Sequence, residues 1–377
     1  MPSDIDFIAP IAERVRAAAA AGTPLRIRGG GSKDFYGESL QGDVLDTASL
    51  AGVVSYEPSE LVVTVRAGTK LVELEALLAA HGQCLPFEPP HFSTSSTVGG
   101  MVASGLSGPA RASVGAVRDY VLGLKLLNGK GEHLTFGGQV MKNVAGYDVS
   151  RLMVGAMGTL GLITEVSLKV LPVAPLEATL HFECSQQQAL DWLNAWGAQP
   201  LPLNASCWVE DKGVGTLYLR LRGAQAAVEA ACKALGEKFG GKQGNNESNN
   251  AEVAADWQAC RDQQLPWFQE RSDAQDLWRL SVPQTAPMLD LPDSPLIEWH
   301  GGLRWVRAGA EHAPHLRSVA AAVGGSAMLF IATNSRKTWA ESRFDALKPP
   351  LDRIHRDLKR EFDPAGIFNR GRMSAHW

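Results

Sequence analysis

The chain has 377 residues, which is room for two or three domains of about 150 residues each. Its 36 Lys and Arg against 40 Asp and Glu give a net charge of −4, which argues against a nucleic-acid surface or a polybasic membrane anchor. Hydrophobic residues at 45% and charged residues at 20% are typical of an ordinary globular protein.

The N-terminal part predicts a repeated order of helix, strand and glycine turn. Apolar spacing predicts a helix over 5–21, and a short strand at Leu25–Ile27 runs directly into three glycines. An Asn128-Gly129 turn between apolar runs indicates a β-hairpin. The further predicted elements are strands at 61–65, 121–127, 134–136 and 165–170, and a helix at 71–81 closed by Gly82.

A second domain is predicted to begin near Pro172 and Pro175, because all ten tryptophans lie beyond this point. Trp192 and Trp196 are four residues apart on a predicted helix, a spacing typical of core positions. Because tryptophan is enriched at protein interfaces, ten tryptophans in one region are also compatible with an interaction surface. Predicted elements here are strands at 177–182 and 216–221, helices at 186–196 and 225–239, and a polar surface loop at 240–250.

Glycine is enriched, with 38 residues or about 10% against a usual ~7%, and much of it lies beside predicted strands. The first glycine element, 28–32, exposes consecutive backbone N–H groups that suit a pyrophosphate, although a tight structural turn explains it equally well. Asp34 stands where GxGxxG needs its third glycine, and no GxxxxGK[ST] occurs. Similar elements at 93–105 and 155–164 favour one extended ligand, such as a flavin dinucleotide.

These motifs, in this order, resemble the FAD-binding domain of the vanillyl-alcohol-oxidase/PCMH flavoprotein family. The resemblance implies an α+β fold with a two-part FAD domain, 1–174 plus a returning segment 330–377, around a smaller α/β cap at 175–329. Within the family, the chain most resembles the smaller FAD-binding subunits of bacterial glycolate oxidases. The matching segments are RGGGS at 28–32, Val65-x-x-Gly68-x-x-Leu71, TVGGMVA at 97–103, KNVAGYD at 142–148, GTLGLIT at 158–164 and FDPAGIFNRGR at 362–372.

The resemblance also implies which residues contact FAD. It places the pyrophosphate on Gly29, Gly30, Gly31 and Ser32, and the ribityl and isoalloxazine side on Thr97, Gly99, Gly100 and Ser104. The neighbouring residues Arg28 and Val98 are also expected to bind the cofactor. The adenine end falls to Gly158, Gly161 and Ile163, and the C-terminal residues Asn369 and Arg372 close the site. Because Ser32 to Gly37 contains no histidine, the FAD is expected to be non-covalent.

Two departures from the family put independent substrate oxidation in doubt. The HxH and GDGNxH histidine motifs of its D-2-hydroxyacid dehydrogenases are absent, so no metal site is expected, and Ala156-Met157 replaces a family Ser-Glu. His300 is a candidate replacement for the missing base, and Arg304 or Arg307 is a candidate to bind the carboxylate of the substrate. If this segment is a strand, Glu298, His300 and Gly302 share one face. Chance placement on a sheet surface is the alternative.

The expected function is that of an FAD-binding subunit in a complex that oxidises glycolate to glyoxylate, with the FAD acting as electron relay or structural support. The resemblance implies two partners, a larger catalytic FAD subunit and an iron-sulfur subunit that ties the assembly to the membrane. Five cysteines without cluster spacing, no readable signal peptide and no membrane span favour a cytoplasmic chain. Two alternatives are a self-sufficient D-2-hydroxyacid dehydrogenase and a docking module with a vestigial flavin site and a Trp-rich surface.

Overall fold

The computed structural model describes residues 4–138, 148–239, 242–243, 251–333 and 342–374. Residues 142–147 of the KNVAGYD motif and most of the predicted loop at 240–250 lie outside the described residues. The chain divides into two compact units. Unit 1 comprises 1–106, 116–172 and 346–377, and unit 2 comprises 107–115 and 173–345.

The elements of the first half follow the predicted order of helix, strand and turn. They are α1 (Asp4–Ala21), β1 (Leu25–Arg28), β2 (Asp43–Asp46), β3 (Val53–Glu57), β4 (Val62–Arg66), α2 (Leu71–Ala79), β5 (Gln83–Cys84), α3 (Val98–Ser104), α4 (Arg111–Val114), β6 (Val121–Leu127), β7 (His133–Gly137), α5 (Val149–Leu152), β8 (Leu162–Lys169) and β9 (Leu171–Pro172). The predicted hairpin is confirmed, because β6 and β7 pair in antiparallel register.

The second half contains longer strands and most of the amphipathic helices. Its elements are β10 (Leu176–Glu183), α6 (Gln186–Gly197), β11 (Leu203–Asp211), β12 (Val214–Gly223), α7 (Gln225–Phe239), β13 (Lys242–Gln243), α8 (Ala251–Arg261), α9 (Pro266–Gln269), β14 (Asp276–Ser281), β15 (Leu296–Glu298), β16 (Leu303–Ala308), α10 (Ala313–Ala322), β17 (Ser326–Ile331) and α11 (Leu351–Phe362). Helix and sheet are therefore mixed in both halves, which confirms the predicted α+β class.

Unit 1 is organised around a five-stranded antiparallel sheet in the order β3-β4-β8-β6-β7. Helix α2 packs on the core of this sheet because Leu71, Leu74 and Leu78 recur at helical spacing and are fully buried. A separate parallel pair, β1 and β2, leads into the first glycine loop. The C-terminal segment extends this pair, since Leu25 bridges to Phe368 in parallel register.

Unit 2 is organised around an eight-stranded sheet in the order β13-β10-β12-β11-β15-β16-β14-β17. Alternation along β10 and β12 points Leu180, Phe182, Leu217 and Leu219 into one core, which also contains buried residues of α6 and α7. The sequence prediction starts this unit at residue 175 and returns the chain to the first unit at residue 330. In the structure, residue 173 begins the main part of unit 2, residue 345 ends it, and 107–115 belongs to it as well.

The tryptophans mostly form the interior of unit 2 rather than its surface. Seven of the eight tryptophans within the described ranges are at most 6% exposed, and Trp192 is half-buried. Trp192 and Trp196 pack together with ring centroids 5.8 Å apart. For the described part of the chain, the expectation that these tryptophans form a docking surface is therefore wrong. The seven are Trp196, Trp208, Trp257, Trp267, Trp278, Trp299 and Trp305.

Candidate functional site

The first glycine loop follows β1 and lies against the second glycine element. The carbonyl of Gly30 accepts a 2.7 Å hydrogen bond from Ser95 Oγ, and that of Gly31 accepts one of 3.2 Å from Asp34 N. A Cβ atom at Gly30 would overlap the Ser95 carbonyl, so the two segments can approach this closely only with glycine here. The loop is thus fixed by its own carbonyls, and its backbone lines a cavity.

The second glycine element forms the start of α3. Thr97 is the N-cap of this helix, and its Oγ1 accepts a 3.2 Å hydrogen bond from Gly100 N. The backbone N–H groups of Val98 and Gly99 donate to Thr69 O and Ala67 O. These amides are therefore already used, and the element offers the cavity its hydroxyl groups and bare glycine backbone.

Asn369 joins the C-terminal segment to two parts of the cavity wall. Its Nδ2 donates a 2.7 Å hydrogen bond to Met157 O, and its Oδ1 accepts a 2.8 Å bond from Ile27 N. The residue is 5% exposed. Gly158 has φ +70°, and a Cβ there would lie 2.7 Å from Asn369 Nδ2. Asn369 thus holds the third glycine element beside β1.

Arg372 fixes the segment that follows the first glycine loop. Its guanidinium donates to the carbonyls of Lys33, Asp34 and Glu38 at 2.7 to 3.2 Å, and the residue is 5% exposed. A planar group with several donors suits such a set of carbonyls. These contacts make Arg372 a brace of the loop as well as a lining residue of the cavity.

A buried ion pair holds the C-terminal segment in place. Lys359 Nζ lies 2.7 Å from Asp363 Oδ2 and also donates to Thr159 O at 2.7 Å and Phe368 O at 3.0 Å. Asp363 accepts in addition from the backbone N–H groups of Ile367 and Phe368. Burial lowers the pKa of Lys359 although Asp363 opposes this shift. These hydrogen bonds offset the cost of removing the two charges from water.

The three glycine elements and the C-terminal segment meet around one cavity of about 120 Å³ that opens to solvent. Of the residues that the sequence assigns to FAD, all except Val98 line it. Val98 does not line the cavity, because its side chain is fully buried in the core between α3 and the sheet. This corrects the prediction for Val98. The lining predicted residues are Arg28, Gly29, Gly30, Gly31, Ser32, Thr97, Gly99, Gly100, Ser104, Gly158, Gly161, Ile163, Asn369 and Arg372.

Sequence reasoning missed several lining residues, of which Lys33 matters most for charge. Lys33 Nζ lies 2.7 Å from Ser96 Oγ and 3.4 Å from Ser32 Oγ. Arg28, also on the cavity, pairs with Asp34 at 2.9 Å. The sequence does contain one signal for Lys33, namely its position as a basic residue directly after the glycine loop. The others missed are Ile27, Asp34, Tyr36, Leu40, Thr47, Ala67, Ala103 and Met157.

The residues present fit a flavin dinucleotide. Glycine backbone, the hydroxyls of Ser32, Thr97 and Ser104, and the cations Arg28, Lys33 and Arg372 line the cavity together, against one carboxylate, Asp34. Such donors suit a pyrophosphate and a polyhydroxyl chain.

The segment proposed to carry a base is not a continuous strand. Strand β15 ends at Glu298, residues 299–301 form a 3₁₀ turn with His300 at φ +53°, and β16 starts at Leu303. His300, Glu298 and Gly302 therefore do not share a strand face, which corrects that expectation. His300 Nδ1 lies 3.0 Å from Ser206 Oγ, and Nε2 lies 2.9 Å from Ser113 Oγ. Burial lowers the pKa of His300 to about 4.

Arg304 and Arg307 point to opposite faces of β16, because they are three residues apart in a strand. Arg304 is fully buried, and its Nη2 donates to Ala286 O at 3.2 Å. Burial lowers its pKa to about 10, so it remains charged at neutral pH. Arg307 pairs with Asp293 at 3.0 Å and stacks on Trp267. These contacts do not form a base with a carboxylate clamp, and a catalytic role for the three residues stays a prediction.

Comparisons with known proteins agree with this geometry. Residues 8–137 match the family profile described as FAD binding domain. The chain is 44% identical to glycolate oxidase subunit GlcE of Escherichia coli K12 over 376 residues, which cover 100% of this chain and 99% of the relative. Glycolate oxidase subunit GlcD of Bacillus subtilis is 33% identical over 128 residues, 34% of this chain and 27% of that protein.

Among solved structures, an alkyldihydroxyacetonephosphate synthase has a TM-score of 0.64 at 16% identity, covering 95% of this chain and 74% of that one. This likeness concerns the fold. With the glycine loops and the profile match, it defines an FAD-binding protein of the PCMH type. Given its full-length identity to the Escherichia coli protein, the chain belongs to the GlcE family of glycolate oxidase subunits. Within the described residues, no helix is both long and apolar enough to cross a membrane.

Proposed function

We propose that this chain is the smaller FAD-binding subunit of a complex that oxidises glycolate to glyoxylate, and that its FAD is non-covalent. The observation that carries the proposal is the cavity formed by the three glycine elements and Asn369, in a chain similar over its whole length to a glycolate oxidase subunit. When bound, FAD supplies the electron-accepting chemistry that oxidation of a 2-hydroxy acid requires.

The chain's own residues support a relay or supporting role over independent oxidation of the substrate. Both ring nitrogens of His300 lie within hydrogen-bond distance of serine hydroxyls, and its lowered pKa makes it a weak base. Arg304 has no exposed surface with which to bind a carboxylate. A substrate base and anion clamp would therefore come from another subunit of the complex.

The proposed partners are a larger FAD subunit with the catalytic groups and an iron-sulfur subunit that passes electrons onward. The name of the Escherichia coli relative, a glycolate oxidase subunit, supports assembly with other chains. The five cysteines of this chain lack the spacing of an iron-sulfur motif, and the described residues contain no group of side chains that could hold a metal, which supports placing the cluster in a partner. We place the chain in the cytoplasm, held at the inner face of the membrane through a partner.

An anaerobic titration tests this proposal. The purified chain is loaded with FAD and mixed with glycolate, first alone and then with the larger FAD subunit and the iron-sulfur subunit. The visible flavin absorbance of the isolated chain is expected to stay unchanged, and glycolate is expected to be oxidised only by the assembled complex. Full bleaching of the isolated chain by glycolate or D-lactate would support a self-sufficient dehydrogenase instead.

A further inference from the structure

A second cavity lies in unit 2, on the side of the sheet opposite α6 and α7. Along β10, β11 and β12, alternate side chains point to this side, and residues of α8 and of 265–270 complete the wall. The cavity has a volume of about 370 Å³, within the range of small-molecule sites, and opens to solvent. The strand residues on its wall are Thr179, His181, Cys207, Val209 and Tyr218.

The floor of this cavity is aromatic and polarizable. Trp257 and Trp267 line it and are each 6% exposed. Trp257 Nε1 donates a 3.0 Å hydrogen bond to Thr179 Oγ1, which fixes the orientation of the indole. The buried thiols of Cys207 and Cys260 complete the floor. Such a surface suits a flat or bulky apolar group.

The polar residues that line the cavity are mainly acidic. Glu210, Asp211, Asp256 and Glu270 are exposed lining residues, and Lys212 is the one lysine or arginine among the residues described on the wall. Burial, with the nearby charge of Glu252, raises the pKa of Asp256. The remaining titratable groups of the wall are His181, Tyr218 and the two thiols.

A buried carboxyl group lies directly beneath the floor. Glu298 is 3% exposed, and its Oε1 accepts a 3.4 Å hydrogen bond from Cys260 Sγ. Its Oε2 accepts a 2.5 Å bond from Trp305 Nε1. The groups beneath the floor therefore include this carboxyl group and the guanidinium groups of Arg220 and Arg307, and the negative charge of the site lies at its rim.

We propose that this cavity binds a small organic cation, an ammonium group attached to an aromatic or other apolar body. The apolar body would lie on the tryptophan floor, and the ammonium group would lie among the rim carboxylates. The rim carboxylates attract a cation. The rings of Trp257 and Trp267 already carry the guanidinium groups of Arg220 and Arg307, so the floor contributes apolar contact and the rim contributes the charge preference. Glycolate is an anion and would be repelled, so this site is separate from the proposed oxidation of glycolate and does not rest on it.

Calorimetric titration of the full chain with three matched probes tests the charge preference. Phenethylamine, 2-phenylethanol and 3-phenylpropanoate share a phenylethyl body and carry a positive, neutral and negative group. Phenethylamine is expected to bind at one site, at least about tenfold more tightly than 3-phenylpropanoate, with the alcohol between them. Equal affinities for the three probes, or no saturable binding of phenethylamine, would overturn the proposal.

Substitutions locate the binding site. The double variant Glu210→Gln, Asp256→Asn is expected to weaken phenethylamine binding about fivefold to tenfold, because each half-exposed carboxylate contributes a modest attraction. The matched control Asp191→Asn changes a charge on α6, on the opposite face of the sheet, and is expected to have no effect. An unchanged affinity in the double variant would contradict the assignment.

Discussion

The side-chain amide of Asn369 donates a hydrogen bond to the carbonyl of Met157, 212 residues earlier in the chain. The same side chain accepts from the backbone of Ile27, the residue before the last of β1. One residue near the C-terminus thus connects the first and third glycine elements. The cavity wall depends on this long-range contact as well as on the glycine loops.

Substitution Asn369→Ala is expected to lower the free energy of unfolding by about 2–4 kcal/mol, because it leaves the buried carbonyl of Met157 and the partly buried N–H of Ile27 without this partner. It is also expected to weaken FAD binding, since Gly158 and β1 lose their connection. Urea unfolding and flavin fluorescence titration measure the two effects. The neighbouring control Arg370→Ala changes an exposed side chain and is expected to leave FAD affinity unchanged.

Gly158→Ala and Gly155→Ala form a matched pair. Both glycines have positive φ, +70° and +81°, so each substitution carries a backbone cost of about 1 kcal/mol. A Cβ at Gly155 meets nothing within 4 Å, whereas one at Gly158 lies 2.7 Å from Asn369 Nδ2. Gly158→Ala is therefore expected to cost at least about 1 kcal/mol more than Gly155→Ala. Equal thermal unfolding midpoints for the two variants would show that the contact with Asn369 has no energetic weight.

Lys33→Met is expected to weaken FAD binding about tenfold, because we expect its ammonium group to donate one charge-assisted hydrogen bond to the pyrophosphate. Riboflavin has no phosphate, so its affinity is expected to stay the same. Lys33→Arg keeps the positive charge and is expected to retain most of the FAD affinity. Parallel flavin fluorescence titrations measure all of these values, and an equal loss of riboflavin and FAD binding would point to a damaged loop instead.

His300 makes the stability of unit 2 depend on pH. Burial lowers its pKa in the folded chain to about 4, below the ordinary 6.5. The unfolded chain therefore binds a proton between pH 6.5 and pH 4 that the folded chain does not, so stability is lost as pH falls through this window. Between pH 7 and pH 5, the contribution of His300 to the loss is about 1–2 kcal/mol.

The variant His300→Gln has no imidazole to titrate and isolates this effect. Its free energy of unfolding is expected to fall less than that of the wild type between pH 7 and pH 5. Urea unfolding at the two pH values gives the difference for each chain, so any constant cost of the substitution cancels. Parallel pH dependence of the two chains would mean that His300 is solvated and protonates normally.

The sequence predicts most of the residues that line the candidate cavity where their placement depends on local backbone. A strand followed by Gly29-Gly30-Gly31-Ser32 is readable without a fold, because bare N–H groups next to a strand are a local property. The same holds for the alternating strands and for the hairpin of β6 and β7. The resemblance of the C-terminal segment also points to Asn369 and Arg372.

Other features depend on tertiary contacts that spacing does not reveal. Val98 stands between lining residues of the second element, yet the turn of α3 directs it into the core. His300 sits in a segment whose alternation indicates a strand, but a left-handed residue there forms a 3₁₀ turn between two strands. The role of Lys33 depends on Ser96, 63 residues away in the chain. The position of Lys33 directly after the glycine loop is a local signal, but its contact with Ser96, the burial of Val98 and the turn at His300 are not readable from the sequence nearby.

The most direct test is an equilibrium titration of the flavin-free chain with FAD, followed by flavin fluorescence and by analysis of the flavin released on heating. One FAD per chain is expected to bind saturably and to be released unmodified. Gly30→Val, which places a side chain against the Ser95 carbonyl, is expected to reduce this binding. A wild-type chain that is folded by circular dichroism but binds no FAD at saturating concentration would contradict the account.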